Sequence, residues 1–98
     1  MRTLLIALAL LPSVAGAATL LGKFPICLSE DLLDQFIQAQ VDNDSRGMEW
    51  MLEQNLCIRT GAGVEVSFLG SSWGKARVRV YTDSGAVEVW TITENVRR

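Results

Sequence analysis

The chain has 98 residues, 49% of them apolar, with nine basic side chains, eleven acidic ones and no histidine, for a formal charge of −2. That length fits one domain. Without histidine, Ser-His-Asp and Cys-His catalysis and the usual imidazole metal ligands are excluded, and the acidic balance disfavours binding to nucleic acids or anionic membranes by charge alone.

Residues 1–17 have the pattern of a cleavable signal peptide. Arg2 supplies a positive start, Leu4 to Leu11 is an unbroken apolar run, and Pro12-Ser13 break it. Ala15 and Ala17 then give the small-x-small cleavage pattern, so the mature chain is expected to be residues 18–98, beginning at Ala18. Eight apolar residues are too few to cross a bilayer, which needs about 20. The expectation is a periplasmic or secreted protein with no transmembrane segment in its mature part. Removal of Arg2 leaves eight basic residues against eleven acidic ones, a charge of −3.

Cys27 and Cys57 are the two cysteines of the chain. In an oxidising compartment they are expected to form the single disulfide they allow. The loop they close, of about 30 residues, is worth about 3–4 kcal/mol in the loop-entropy view. A mature chain of about 80 residues has a limited core, so such a staple matters.

Ser29 is a good helix N-cap, followed by Glu30 and Asp31 in the first turn. Leu32, Leu33, Phe36, Ile37 and Val41 recur with helical spacing, which predicts a helix from Ser29 to Val41. Asp42 to Ser45 is a turn and a second N-cap. Met48, Met51 and Leu52 can form the inner face of a second helix reaching Gln54, with Trp50 expected in the core or between the helices. Gly47 weakens its first turn, and Asn55 is a plausible stop. The two make a helical hairpin over residues 29–54, set N-terminal to a sheet over residues 57–96.

From Cys57 the period changes to two. Val64, Val66 and Phe68 alternate with Glu65, Ser67 and Leu69, Ala76, Val78 and Val80 with Lys75, Arg77, Arg79 and Tyr81, and Val87 and Val89 with Glu88 and Trp90. Turns are expected at Gly61-Ala62-Gly63, Gly70-Ser71-Ser72 and Asp83-Ser84-Gly85. Three antiparallel strands follow, with a short fourth at Cys57–Arg59. The fold class is therefore α+β, with one apolar sheet face that a curl or the helices must cover.

Residues 58–96 resemble a bacterial SH3-like domain. The resemblance rests on Gly63-Val64-Glu65-Val66, on Trp73-Gly74-Lys75-Ala76-Arg77-Val78-Arg79-Val80, and on Gly85 and Val89-Trp90-Thr91. It implies a small curled barrel in an exported protein that binds cell-wall or protein partners. The helical hairpin and its bridge are not part of a minimal domain of that type.

Chemistry-bearing patterns are few. Asp42, Asp44, Gly47 and Glu53 match positions 1, 3, 6 and 12 of a calcium-binding EF-hand loop. Arg46 stands where an oxygen ligand belongs, however, and Glu49 where an apolar residue does, so the stretch is better taken as a turn with Asp44 capping the second helix. No metal, cofactor or catalytic residue is expected. Lys75, Arg77 and Arg79 share a strand face with Tyr81, either as a basic-aromatic patch or as partners of Glu65 and Glu88. Trp90 is expected to pack, while Trp73, in a Gly/Ser turn, is either packed or an exposed anchor.

The function expected from this reading is a non-catalytic exported binding domain. Its partner is a protein or a cell-envelope component, and its contact residues are Trp73, Arg77, Arg79 and Tyr81. The rivals are an inhibitor or immunity-type protein acting on an envelope hydrolase or toxin, and a small carboxylate enzyme or metal-binding protein. A homodimer through a sheet edge or the helical face stays open.

Overall fold

The computed structural model of the chain describes residues 16–98. The signal-peptide expectation therefore lies outside the described residues except for Gly16 and Ala17. The fold is α+β: two helices and a curled, antiparallel, seven-stranded half-barrel sheet, with a Cys27–Cys57 disulfide. In chain order the elements are β1 (Gly16–Leu20), β2 (Ile26–Cys27), α1 (Glu30–Val41), α2 (Ser45–Glu53), β3 (Cys57–Ile58), β4 (Val64–Ser72), β5 (Lys75–Thr82), β6 (Gly85–Ile92) and β7 (Val96–Arg97). The sheet order is β3-β2-β6-β5-β4-β1-β7.

The helices form where their caps and period place them. Ser29 Oγ accepts a hydrogen bond from the Leu32 amide at 3.1 Å, and Asp44 Oδ1 accepts one from the Gly47 amide at 2.9 Å. Each satisfies an amide that has no partner inside its helix, an effect worth about 1 kcal/mol. Gly47 suits this arrangement, because a Cβ there would collide with the Asp44 carboxylate. Asn43 and Asn55 take left-handed backbone (φ 57° and 58°) and end the two helices, as asparagine does more readily than most residues. Asp44 is thus committed to capping and Glu53 closes α2, so the helix itself occupies most of the would-be calcium loop. Among the described residues no group of three or more acidic or cysteine side chains is placed to hold a metal ion.

The helices are not N-terminal to the sheet. Two strands, β1 and β2, precede them, so they are an insertion between β2 and β3. β1 lies between β4 and β7, one position in from the β7 edge of the sheet. The predicted turn at Gly70-Ser71-Ser72 is also displaced. β4 continues through it, with a register shift between Phe68 and Gly70, and the reversal falls at Trp73-Gly74. A bulge at this point lets the strand twist and carry on past the glycine.

The two sheet faces bury different things. One face curls on itself around Leu20, Ile26, Val66, Val78 and Val89. The other, at the β2–β3–β6 end, is covered by the helices through Leu33, Phe36 and Met51, against which Trp90 and Ile92 pack. Phe24 meets Phe36 edge-on, with ring centroids 5.5 Å apart. Trp90 therefore packs as the sequence suggests. Trp50 does not: it stands 55% exposed on α2, because Met51 is the residue that α2 turns into the core.

A buried polar network joins the two ends of the chain. Asn95 is fully buried. Its Oδ1 accepts from the Lys23 amide at 2.8 Å, and its Nδ2 donates to the Phe24 carbonyl at 2.9 Å and to Thr91 Oγ1 at 3.1 Å. Thr91 Oγ1 in turn donates to the Pro25 carbonyl at 3.0 Å. One side chain thus satisfies the backbone of the connection from β1 to β2. Asn95→Ala takes the partner from the buried Phe24 carbonyl and the part-buried Lys23 amide, so unfolding stability should fall by about 2–4 kcal/mol in a urea titration. A change under about 0.5 kcal/mol would show the network to be dispensable.

Candidate functional site

β5 carries Arg77, Arg79 and Tyr81, three of the four predicted contact residues, and its alternation decides where they point. Ala76 and Val78 face the core. Lys75, Arg77, Arg79 and Tyr81 take the opposite face. Opposite them on β6 stand Ile92, Trp90, Glu88 and Ala86 respectively. The helices cover the Trp90–Ile92 end of this face and leave the rest to solvent.

Local charges then sort the basic residues. Lys75 Nζ reaches α1, lying 2.8 Å from Glu30 Oε2 and 2.9 Å from Asp34 Oδ1. The hydrogen bonds it donates to these two carboxylates hold the ammonium pKa above its ordinary 10.5. Arg77 Nη1 lies 3.0 Å from Glu88 Oε1, and Arg79 Nη2 lies 3.8 Å from Glu88 Oε2. One carboxylate on the neighbouring strand therefore answers both arginines. Of the two acidic partners expected from sequence, Glu88 makes the ion pairs. These pairs are half-exposed, and such contacts are individually weak and screened by salt.

Tyr81 sits at the far end of β5 and is 57% exposed. Its hydroxyl forms a short hydrogen bond with Ser67 Oγ on β4. This bond, with help from Arg79, lowers the phenol pKa from its ordinary 10. Beside it opens a shallow groove of about 530 Å³, walled by β1 and by Glu65, Ser67, Tyr81, Arg97 and Arg98. Arg98 also stacks over the Phe68 ring, 4.0 Å from its centroid, a cation–π contact.

Trp73 lies elsewhere. It occupies the tip of the β4–β5 hairpin, between the paired residues Ser72 and Lys75, and is 94% exposed. Its φ is 55° and that of Gly74 is 77°. Positive φ at both central residues defines a type I′ reversal, whose twist matches the flanking strands and which favours Asn-Gly over a bulky first residue. The turn is braced from the residue just after β6: the Thr93 amide and Oγ1 both donate to the Gly74 carbonyl, at 2.9 and 3.2 Å. An indole is thus held out in water on a fixed support.

The four predicted contact residues do not gather in one patch. At about 3.3 Å per residue, Trp73 and Tyr81 stand roughly 26 Å apart along the hairpin. Arg77 and Arg79 lie between them, tied to Glu88. The groove formed by β1 and β7 beside Tyr81 was not foreseen. The one sequence signal for it is the Arg97-Arg98 pair, well beyond the Val87 and Val89 alternation. Comparison of the chain with known protein families, with curated proteins and with solved structures finds no match.

Two titrations follow from these contacts. Tyr81 is the sole tyrosine, so the 295 nm absorbance reports its phenolate alone. Its midpoint should lie below pH 10 and return upward in Ser67→Ala; an unchanged midpoint would remove the hydrogen bond as the cause. Lys75 has a raised folded pKa, so its stabilising contribution is complete below its unfolded pKa of about 10.5 and is lost as pH climbs through the higher folded value. Melting temperature should therefore drop in alkali above that point less steeply in Lys75→Met than in the parent chain.

Proposed function

We propose that this chain is an exported, non-catalytic binding domain with SH3-like character that engages a protein or cell-envelope partner through the tip of its β4–β5 hairpin. The observation that carries this reading is Trp73: 94% exposed, at positive φ, on a turn braced by Thr93. An indole has about 200 Å² of surface to bury. At about 25 cal/mol per Å², removing most of it from water is worth about 4–5 kcal/mol before association costs. Its rigid support means that little conformational entropy is lost on docking. A bulky side chain in a strained turn that adds nothing to the core is a poor choice for folding, which favours a role in recognition.

Export to the periplasm or beyond is supported by the charged start, short apolar run and small-x-small pattern of residues 1–17, and by a cysteine pair engaged in a disulfide. A non-catalytic role is supported by the lack of histidine and by both thiols being used in the bridge. Arg77, Arg79 and Tyr81 lie along the same hairpin and would form a second, polar contact with a partner large enough to span it.

A second reading rests on the same tip. A lone aromatic on a braced, protruding turn suits insertion into the active-site cleft of an envelope hydrolase or toxin, as in an inhibitor or immunity-type protein. The two readings separate in a pull-down from envelope extract. Recovery of one enzyme in stoichiometric amount supports inhibition, and enrichment on peptidoglycan sacculi supports wall binding. In either case Trp73→Ala should weaken capture at least tenfold while leaving the melting temperature within about 2 °C, since an exposed side chain contributes little to folding. Undiminished capture by Trp73→Ala would overturn the tip as the anchor.

A further inference from the structure

The expected cleavage point lies inside β1. Ala17 pairs with Ser67, Ala18 with Val66 and Thr19 with Glu65, all on β4. On the other side Thr19 also pairs with Arg97 of β7. Ala18 is 8% exposed and Leu20 is fully buried. A peptidase that recognises small side chains at Ala15 and Ala17 must take this stretch as an isolated extended segment, with its backbone free to dock in the enzyme. Folded β1 cannot offer that: one edge belongs to β4, and from Thr19 onward the other edge belongs to β7.

We infer that hydrolysis of the Ala17–Ala18 bond is possible only before β1 enters the sheet, so that folding of the half-barrel closes its own processing site. The reaction is ordinary amide hydrolysis: the Ala17 C–N bond breaks, water gives its hydroxyl to the Ala17 carbonyl, and a proton goes to the new Ala18 amine. The inference rests on the export reading above.

The burial pattern shows that a cut here does little damage. Gly16 and Ala17 are exposed, while Ala18 and Leu20 carry the burial of the strand. Cleavage removes the pairs to Phe68 and Ser67. It leaves those of Ala18, Thr19 and Leu20 with β4, and both pairs with β7. The boundary between signal and domain thus coincides with the boundary between the exposed and buried parts of one strand. A precursor that folds too early would keep its leader; one that is cut in time loses only the exposed end of β1.

The test uses the full 98-residue chain, oxidised, with purified bacterial signal peptidase in detergent. One sample is folded before the enzyme is added. The other is released from urea directly into enzyme. Mass spectrometry reads the fraction beginning at Ala18. The expected result is cleavage of the released chain and cleavage at least about 100-fold slower for the prefolded one, because proteolysis of a folded segment tracks how often it opens. Leu20→Ala, which removes the main anchor of β1, should be cut faster when prefolded, whether it loosens the strand or the whole domain. Equal rates for the two wild-type samples, or full protection retained by Leu20→Ala, would overturn the inference. A chain left uncut after Ala17 in both states would instead overturn the export reading itself.

Discussion

The fold depends on one cross-strand disulfide placed where the sheet is least able to hold itself. β2 and β3 are two residues each, far too short for an independent ladder. Cys27 and Cys57 face one another directly, with Cα atoms 3.9 Å apart. Between them runs the whole helical insertion. The bridge therefore closes that insertion at its neck and forces the helices back over the sheet. Cys27 also pairs with Trp90 on β6, so the neck is joined to the central strands. Leu33, Phe36 and Met51 then have a fixed surface on which to pack.

This placement decides what is left for recognition. The helices cover one end of the outer sheet face and draw Lys75 to them through Glu30 and Asp34. The other end keeps only polar contacts: two arginines on Glu88, and a tyrosine on a serine. The hairpin tip lies beyond both regions. Its brace comes from Thr93, two residues before Asn95, which ties the β1–β2 connection. The stretch from Thr91 to Asn95 thus connects the buried network to the turn that presents Trp73. Rigidity at the tip is inherited from the core.

The helices were legible because caps, period and stops all agreed: Ser29, the apolar positions of α1, Asp44 and Asn55 each do what their chemistry predicts. β5 and β6 were legible for the same reason, as a clean period of two ended by a turn. β1 was not. Gly16-Ala17-Ala18 has low strand propensity, and its small residues matched a cleavage pattern. β2 and β7 are too short to show any period. Gly70 promised a turn, but a bulge carried β4 past it, and the reversal moved onto Trp73, a residue that propensity alone would not put there. Trp50 was misplaced because its neighbours Met48 and Met51 suggested an inner face wider than α2 presents. The candidate site was legible as a list of residues but not as an arrangement. The point of reversal at Trp73-Gly74, past the expected turn, and the extended run of β5 after it set Trp73 and Tyr81 at opposite ends of one hairpin.

The three tryptophans show how context, not residue type, determines role. Trp90 sits opposite Arg77 and beside the bridged neck, where the helices cover it. Trp50 lies on the outer flank of a nine-residue helix, half in water because only one position of that helix is fully turned inward. Trp73 has neither neighbour nor cover. Of the three, it alone takes a backbone conformation that a large side chain resists. Packing of the ring could offset that cost, but the ring is 94% exposed and the fold recovers none of it. What remains is an indole whose apolar surface the fold leaves in water. The braced turn holds that ring at the end of the molecule farthest along β5 from Tyr81 and the groove beside β1.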